Sequence, residues 1–188
     1  IVKYIYYKKN DKDMSFLYHT PFYNSITGNK LEIAKWIQSI DNFDVSSYDN
    51  YALRIACENG DLKMVEWLLT FENININTDN EYPFRAACKS GNLLVCKLLY
   101  QKGNINIAAE NDEAFRIVCE LNYTHIGKWL SNFDERYILE INDGVISNWN
   151  IKNELLELFE AGDYEKISNK LEFSKTEESI SEKCYICY

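Results

Sequence analysis

Apolar residues along this chain gather into short stripes at helical spacing, and the stripes recur. In YALRIACENGDLKMVEWLL, residues 51–69, Ala52, Leu53, Ala56 and Cys57 stand at i, i+1, i+4 and i+5, one face of a short helix. Asn59-Gly60-Asp61 breaks the pattern. Gly60 can take a positive φ and stop the first helix, and Asp61 can cap the next. Leu62, Val65, Leu68 and Leu69 then form a second stripe spaced by threes and fours. The run Asn73 to Asn80 alternates apolar and polar residues, which predicts an extended, hairpin-like connector.

This unit is repeated. TPFYNSITGNKLEIAKWI begins at Thr20, YPFRAACKSGNLLVCKLL at Tyr82 and AFRIVCELNYTHIGKWL at Ala114. Pro21, Ala52, Pro83 and Ala114 are 31 residues apart, and the same step links Arg54, Arg85 and Arg116, then Cys57, Cys88 and Cys119, then Trp36, Trp67, Leu98 and Trp129. One period held in several columns predicts a stacked array. A single helix-turn-helix unit cannot bury its own apolar face, so neighbours must stack to make one continuous core. Repeats are expected over residues 20–50, 51–80, 81–112 and 113–133, the last with Asn122-Tyr123-Thr124 in place of the glycine turn.

The flanks follow the same register. Val2, Ile5 and Met14 stand 31 residues before Ile33, Trp36 and Val45. Residues 1–19 are therefore expected to be the second helix and connector of a partial repeat whose first helix is absent, as in a cut through a longer protein. Two β-prone runs around Asp143-Gly144 predict a hairpin near residues 137–149, inside an inserted segment 134–152. In residues 153–172, Leu155, Leu158 and Phe159 align on Leu53, Ala56 and Cys57, and Gly162-Asp163 on Gly60-Asp61. A degenerate capping repeat is expected there, with Glu157, Glu160, Glu165 and Lys166 as its polar outer face. Residues 173–188 read as a polar tail ending Cys184-Tyr-Ile-Cys187-Tyr188.

Composition narrows the function classes. A net charge of −9 argues against a binder of the nucleic-acid backbone, which needs a lysine and arginine face. The Arg54, Arg85, Arg116 column is the ordered basic feature, and it is expected either to bond connector carbonyls between repeats or to form an exposed stripe that reads acidic partners. No run of 18 apolar residues exists, so no membrane span is expected. Cys57, Cys88, Cys119 and Cys96 read as small buried hydrophobes, since stacked helices stand about 8–10 Å apart, too far for a disulfide. Free thiols fit a reducing cytosol or nucleus, and a cytoplasmic location is expected. No nucleophile–base pair, glycine-rich phosphate loop or carboxylate pair is visible, and His19 and His125 stand alone. No catalytic residue is assigned, no enzyme activity is expected, and no cofactor is called for within the chain. Cys184 and Cys187 form a lone C-x-x-C. It reads as half of a tetrahedral zinc site if a zinc module follows, as an incidental pair in a polar tail, or as a redox pair.

Thr20-Pro21-Phe22 and Tyr82-Pro83-Phe84, the pairs Ala56-Cys57 and Ala87-Cys88, and the turns Gly60-Asp61-Leu62 and Gly91-Asn92-Leu93 together resemble the ankyrin-repeat family over most of the chain. The chain departs from that family in its 31-residue period against about 33. It departs also in Arg54, Arg85 and Arg116 where the family has histidine, and in Asp49-Asn50 and Asp79-Asn80 where it has a D-x-x-G turn. The resemblance implies an all-α solenoid with short connector hairpins, monomeric, whose concave face binds a partner protein. It implies contacts at the connector tips, Ser46, Ser47 and Tyr48, then Asn77, Thr78 and Asp79, then Ala108, Ala109 and Glu110. First-helix ends Glu58, Asn59, Lys89, Ser90, Glu120 and Leu121 complete the set, with Tyr48 as the aromatic anchor. The A-L-R-x-A-x-x-N-G wording is similar to the ankyrin arrays of giant DNA viruses, which implies a host cytosol. C-Y-I-C resembles the opening of a RING-type zinc finger. That resemblance implies an alternative, the substrate-recruiting part of a truncated E3 ubiquitin ligase with zinc bound beyond this stretch.

Overall fold

The computed structural model describes residues 15–41 and 44–152, together with Lys166. Among these residues the chain forms four helix pairs and one hairpin. The pairs are α1 (Ser15–Thr27) with α2 (Leu31–Asp41), α3 (Ser47–Glu58) with α4 (Leu62–Leu68), α5 (Thr78–Lys89) with α6 (Leu93–Lys102), and α7 (Ala109–Glu120) with α8 (Thr124–Leu130). Strands β1 (Tyr137–Asn142) and β2 (Val145–Ile151) follow. The boundary expected at residue 19 falls inside α1. Residues 1–14, the capping repeat apart from Lys166, and the tail lie outside the described residues.

The sequence period becomes a period in the core. Phe22, Leu53, Phe84 and Phe115, each 31 residues from the next, are all fully buried. So is the column Leu68, Leu99 and Leu130 on the second helices. First helices of adjacent repeats pack more closely on each other than second helices do, so the first-helix side is the inner, concave side of the stack. Cys57, Cys88, Cys96 and Cys119 are buried free thiols. Burial pushes the Cys57 and Cys88 thiols well up and Cys119 to about 12, so all three are held neutral. The spacing argument did not foresee that Cys96 belongs beside Cys88: their sulfurs stand 3.7 Å apart across the α5–α6 pair.

The turn inside each repeat needs one left-handed residue, and the chain supplies it in register. Asn29, Gly60, Gly91 and Asn122 have φ of 55°, 64°, 75° and 58°. Asparagine tolerates this region better than other residues with a Cβ, which explains how the fourth repeat keeps its turn without glycine. Asp61 and Asn92 then cap α4 and α6, accepting from Met64 N at 3.2 Å and from Leu94 N at 3.1 Å. The turns are stitched to each other. Asn59 Nδ2 donates to Asn29 Oδ1 at 2.8 Å, Asn92 Nδ2 donates to Gly60 O at 2.7 Å, and His125 Nε2 stands 3.2 Å from Gly91 O. A carbonyl can only accept, so His125 carries its proton on Nε2 and is a structural donor.

The connectors differ from the expected hairpins, for no strand forms between described repeats. Ile74, Ile76, Ile105 and Ile107 tuck against the core, as the alternation implied. Each connector then makes a compact left-handed turn of three residues: Tyr48-Asp49-Asn50, Asp79-Asn80-Glu81 and Glu110-Asn111-Asp112, all with φ between 51° and 64°. Left-handed backbone costs about 1–2 kcal/mol per residue, so each turn needs compensation. Arg85 Nε donates to Asn80 O at 2.9 Å and Nη2 to Asp79 O at 3.1 Å. Arg116 repeats the fork on Asn111 O and Glu110 O. Arg85 and Arg116 therefore bond carbonyls of the connector that ends the preceding repeat. The third turn residue faces the next repeat and is buried: Asn50 Oδ1 accepts from Asn75 N at 2.8 Å, and Glu81 Oε1 from Asn106 N at 3.3 Å.

Asp112, the third member of that column, meets the hairpin. Tyr137 Oη donates to Asp112 Oδ1 at 2.6 Å and Arg136 Nη2 donates to the same atom at 3.1 Å. The Tyr137 ring lies flat on Phe115, 4.2 Å between centroids at 4°. Asp143 and Gly144 both take positive φ, as a tight hairpin turn with the right twist requires. Leu139 pairs with Trp149 and Ile141 with Ile146 on the inner face. Leu139 also closes on α8 at Gly127, where a Cβ would stand 3.3 Å from its Cδ2. The hairpin thus packs onto the α7–α8 pair of the fourth repeat.

Arg136 also holds the Asp134 carboxyl below the ordinary aspartate value of 3.8, chiefly through its side-chain hydrogen bonds. A carboxylate depressed on folding stabilises the fold above its unfolded pKa, and that contribution is lost as pH falls through the folded value. Thermal stability is expected to drop as pH is lowered from about 5 towards 3, with the hairpin loosening first. Asp134→Asn should flatten that dependence. Melting curves at stepped pH for the two chains check it.

Candidate functional site

The described surface carries a groove of about 440 Å³ across the inner helices, lined by Glu58 of α3, Tyr82, Arg85, Ala86, Lys89 and Ser90 of α5, and Glu113 and Ile117 of α7. It spans three successive repeats. Its geometry follows from the period, because Arg54 and Arg85 occupy one position of the repeat, and Tyr82 and Glu113 another.

A fixed polar frame surrounds the groove. Tyr82 Oη donates to Glu58 Oε1 at 2.6 Å, and this acceptor, with burial second, raises the Tyr82 pKa. The Arg54 guanidinium lies over the Tyr82 ring, 4.4 Å from its centroid, and pairs with Asp79 at 3.6 Å. Arg54 departs from the Arg85 and Arg116 fork: its Nε is buried without a hydrogen-bond partner. Arg85 stands 5.4 Å from the centroid of the same ring and forms a hydrogen-bonded ion pair with Glu113 of the next repeat. Two cations beside one aromatic ring, each tethered elsewhere, hold that ring in place. Lys89 is different. It is exposed at the rim, and no hydrogen bond or ion pair ties it among the described residues. Ala86 and Ile117 give the groove apolar contact area.

Of the contact residues expected from sequence, the groove gathers Glu58, Lys89 and Ser90. Asn59 is committed to the stitch between turns. Asn77 Nδ2 is committed to the Glu81 carboxylate at 2.8 Å. Asp79 and Glu110 stay exposed on the connectors, where Asp79 meets Arg54 and Glu110 accepts from Asn80 Nδ2 at 2.7 Å. Ser46, Ser47 and Ala108 are half-buried at the turns, Glu120 and Leu121 exposed at the end of α7. Two positions are corrected. Thr78 and Ala109 are only 5% and 8% exposed, because the left-handed turn rotates the start of each first helix inward. Tyr48 is 64% exposed, with its ring edge-on to Tyr23 at 6.0 Å, and does not line the groove. Tyr82 and Glu113 were missed as site residues, and Arg85 was weighed only as part of the arginine column. The column Tyr51, Tyr82, Glu113 was legible, but nothing in the sequence showed that it faces the same side as the arginines.

The family model for ankyrin repeats (3 copies) matches residues 23–111 and 53–142, well over half of the chain. The chain is an ankyrin-repeat protein. Its four described repeats, its helix pairs and its glycine or asparagine turns are those of that family, and ankyrin repeats are modules for protein–protein interaction, in general non-enzymatic scaffolds. A search of curated proteins returns no match. Among the described residues of this ankyrin array, no group of three or more His, Cys, Asp or Glu side chains is placed to hold a metal ion. No described helix is long and apolar enough to cross a membrane. Cys184 and Cys187 lie outside the described residues.

Proposed function

We propose that this ankyrin array binds a protein partner on its concave side, in the groove across α3, α5 and α7, and acts as an adaptor rather than on a substrate. The supporting observation is the division of labour within the groove. Glu58, Tyr82, Arg85 and Glu113 are locked to each other and form a rigid, pre-organised floor. Lys89 at the rim has, among the described residues, no hydrogen-bond or ion-pair partner to give up on binding. A site that is already ordered loses little conformational freedom when a partner arrives, and a free rim cation steers a partner carboxylate and fixes its register. Ala86 and Ile117 offer apolar contact beside it. The groove suits a partner segment that presents an apolar side chain flanked by an acidic one.

The test is quantitative capture of the partner by purified chain. Lys89→Glu is expected to weaken binding by about tenfold or more, on the scale of an interface hot spot. Lys63→Glu, on the exposed side of α4, should leave it unchanged. Equal loss or equal retention in both variants rules this face out.

A further inference from the structure

Three tyrosines early in the described array occupy positions that hold an ion pair and its ring one repeat later. Tyr23, Tyr48 and Tyr51 stand 31 residues before Arg54, Asp79 and Tyr82. In the later repeat the Arg54 guanidinium lies over the Tyr82 ring at 4.4 Å and pairs with Asp79 at 3.6 Å. In the earlier one, aromatic rings replace both charges. Tyr48 and Tyr51 meet Tyr23 edge-on, at 6.0 Å and 71° and at 5.0 Å and 79°. Tyr23 is half-buried, whereas Tyr48 is 64% exposed and Tyr51 39% exposed. Among the described residues, guanidiniums stand beside the Tyr82 and Tyr137 rings and none stands over Tyr51. Carboxylates surround the cluster. Asp44, held below the ordinary aspartate value of 3.8 chiefly by its hydrogen bond from the Ser46 hydroxyl, is ionised at neutral pH, and Asp49 is exposed next to Tyr48. Burial first, then Tyr48, Asp44 and Tyr51, push the Tyr23 phenol up to about 12, so that phenol stays neutral.

We propose that this cluster receives a basic side chain of the protein partner, an arginine guanidinium set against the Tyr48 and Tyr51 rings as Arg54 is set against Tyr82. Charge selects this occupant. An aromatic face attracts a cation, and a planar guanidinium also stacks on it. Asp44 and Asp49 supply the countercharge that Asp79 supplies to Arg54, and they would repel an acidic side chain. Tyr51 and Tyr82 share a column, so the cluster lies one repeat before the groove along the inner side. The proposal rests on the reading of that side as the binding side, and it does not depend on Lys89. A partner segment that reaches both contacts carries a basic residue here and an acidic one at Lys89, which fixes the direction in which it lies along the array.

Titration of the full chain with acetyl-glycyl-arginyl-glycinamide, followed by NMR of isotope-labelled tyrosine rings, tests it. The Tyr48 and Tyr51 signals should shift and saturate. Tyr48→Ala and Tyr51→Ala should each weaken the peptide about threefold or more, the scale of an exposed cation–π contact. Tyr48→Phe should bind as the unaltered chain does, because it keeps the aromatic face. Lys89→Glu should also leave the peptide unaffected, so failure here and failure of the groove are told apart. The Tyr137 signal serves as the folding control: if Tyr51→Ala moves it, the variants at the exposed Tyr48 decide. Equal shifts with norleucine in place of arginine overturn the proposal, because the cluster is then an apolar patch without charge preference. A loss in Tyr48→Phe as large as in Tyr48→Ala overturns it too, since the hydroxyl and not the ring would then make the contact. Saturating shifts at Tyr82 alone, or no saturating shift at any ring, overturn it as well.

Discussion

Phe115→Ala is expected to destabilise the array by about 3–5 kcal/mol, the range for truncating a buried aromatic. Phe115 is fully buried, carries the Tyr137 ring stacked on its face and meets Trp149 edge-on at 6.1 Å. Its loss removes the platform on which the hairpin rests as well as the volume of a ring. The effect should show in two places. The urea midpoint falls, and amide exchange across β1 and β2 accelerates more than exchange in α3 or α5. A cost under about 1 kcal/mol would mean that the hairpin does not rest on Phe115.

Leu68→Ala and Leu99→Ala form the second expectation, each at about 2–5 kcal/mol. Both side chains are fully buried at the same position of consecutive repeats. In a repeat array each unit contacts only its neighbours, so the damage should centre on the altered repeat and its interfaces. Equilibrium unfolding measures the cost, and a value under about 0.5 kcal/mol at both sites would contradict the 31-residue register.

The helices were legible because each rests on a pattern local to the chain. Stripes at three- and four-residue spacing gave the pairs, and Gly60, Asp61 and Asn92 marked their turns. The stacking was legible because the period repeats. What the sequence hid is chemistry between repeats. Asp49-Asn50, Asp79-Asn80 and Asn111-Asp112 signal positive φ, yet alternation in Asn73–Asn80 argued for an extended hairpin. The turn that forms depends on the Arg85 and Arg116 forks, on contacts five and six residues away, and on the buried acceptors Asn50 and Glu81 across the interface. Periodicity alone does not encode such pairings.

The groove was half legible for the same reason. Glu58, Lys89 and Ser90 followed from their place at helix ends. Tyr82 needed both its Glu58 partner, 24 residues earlier, and Arg54 above its ring. Thr78 and Ala109 were misplaced on the surface because the left-handed turn reverses which side of the connector faces out.

Residue-specific photo-crosslinking tests the central claim most directly. A photoreactive side chain is placed at Lys89 in one chain and at Lys63 in another, and each is irradiated in an extract that contains the partner. The account expects a single covalent adduct from position 89, competed away by unlabelled chain but not by the Lys89→Glu chain, and none from position 63. An adduct from position 63 alone, or one from position 89 that the Lys89→Glu chain competes equally well, would place the binding surface elsewhere on the array.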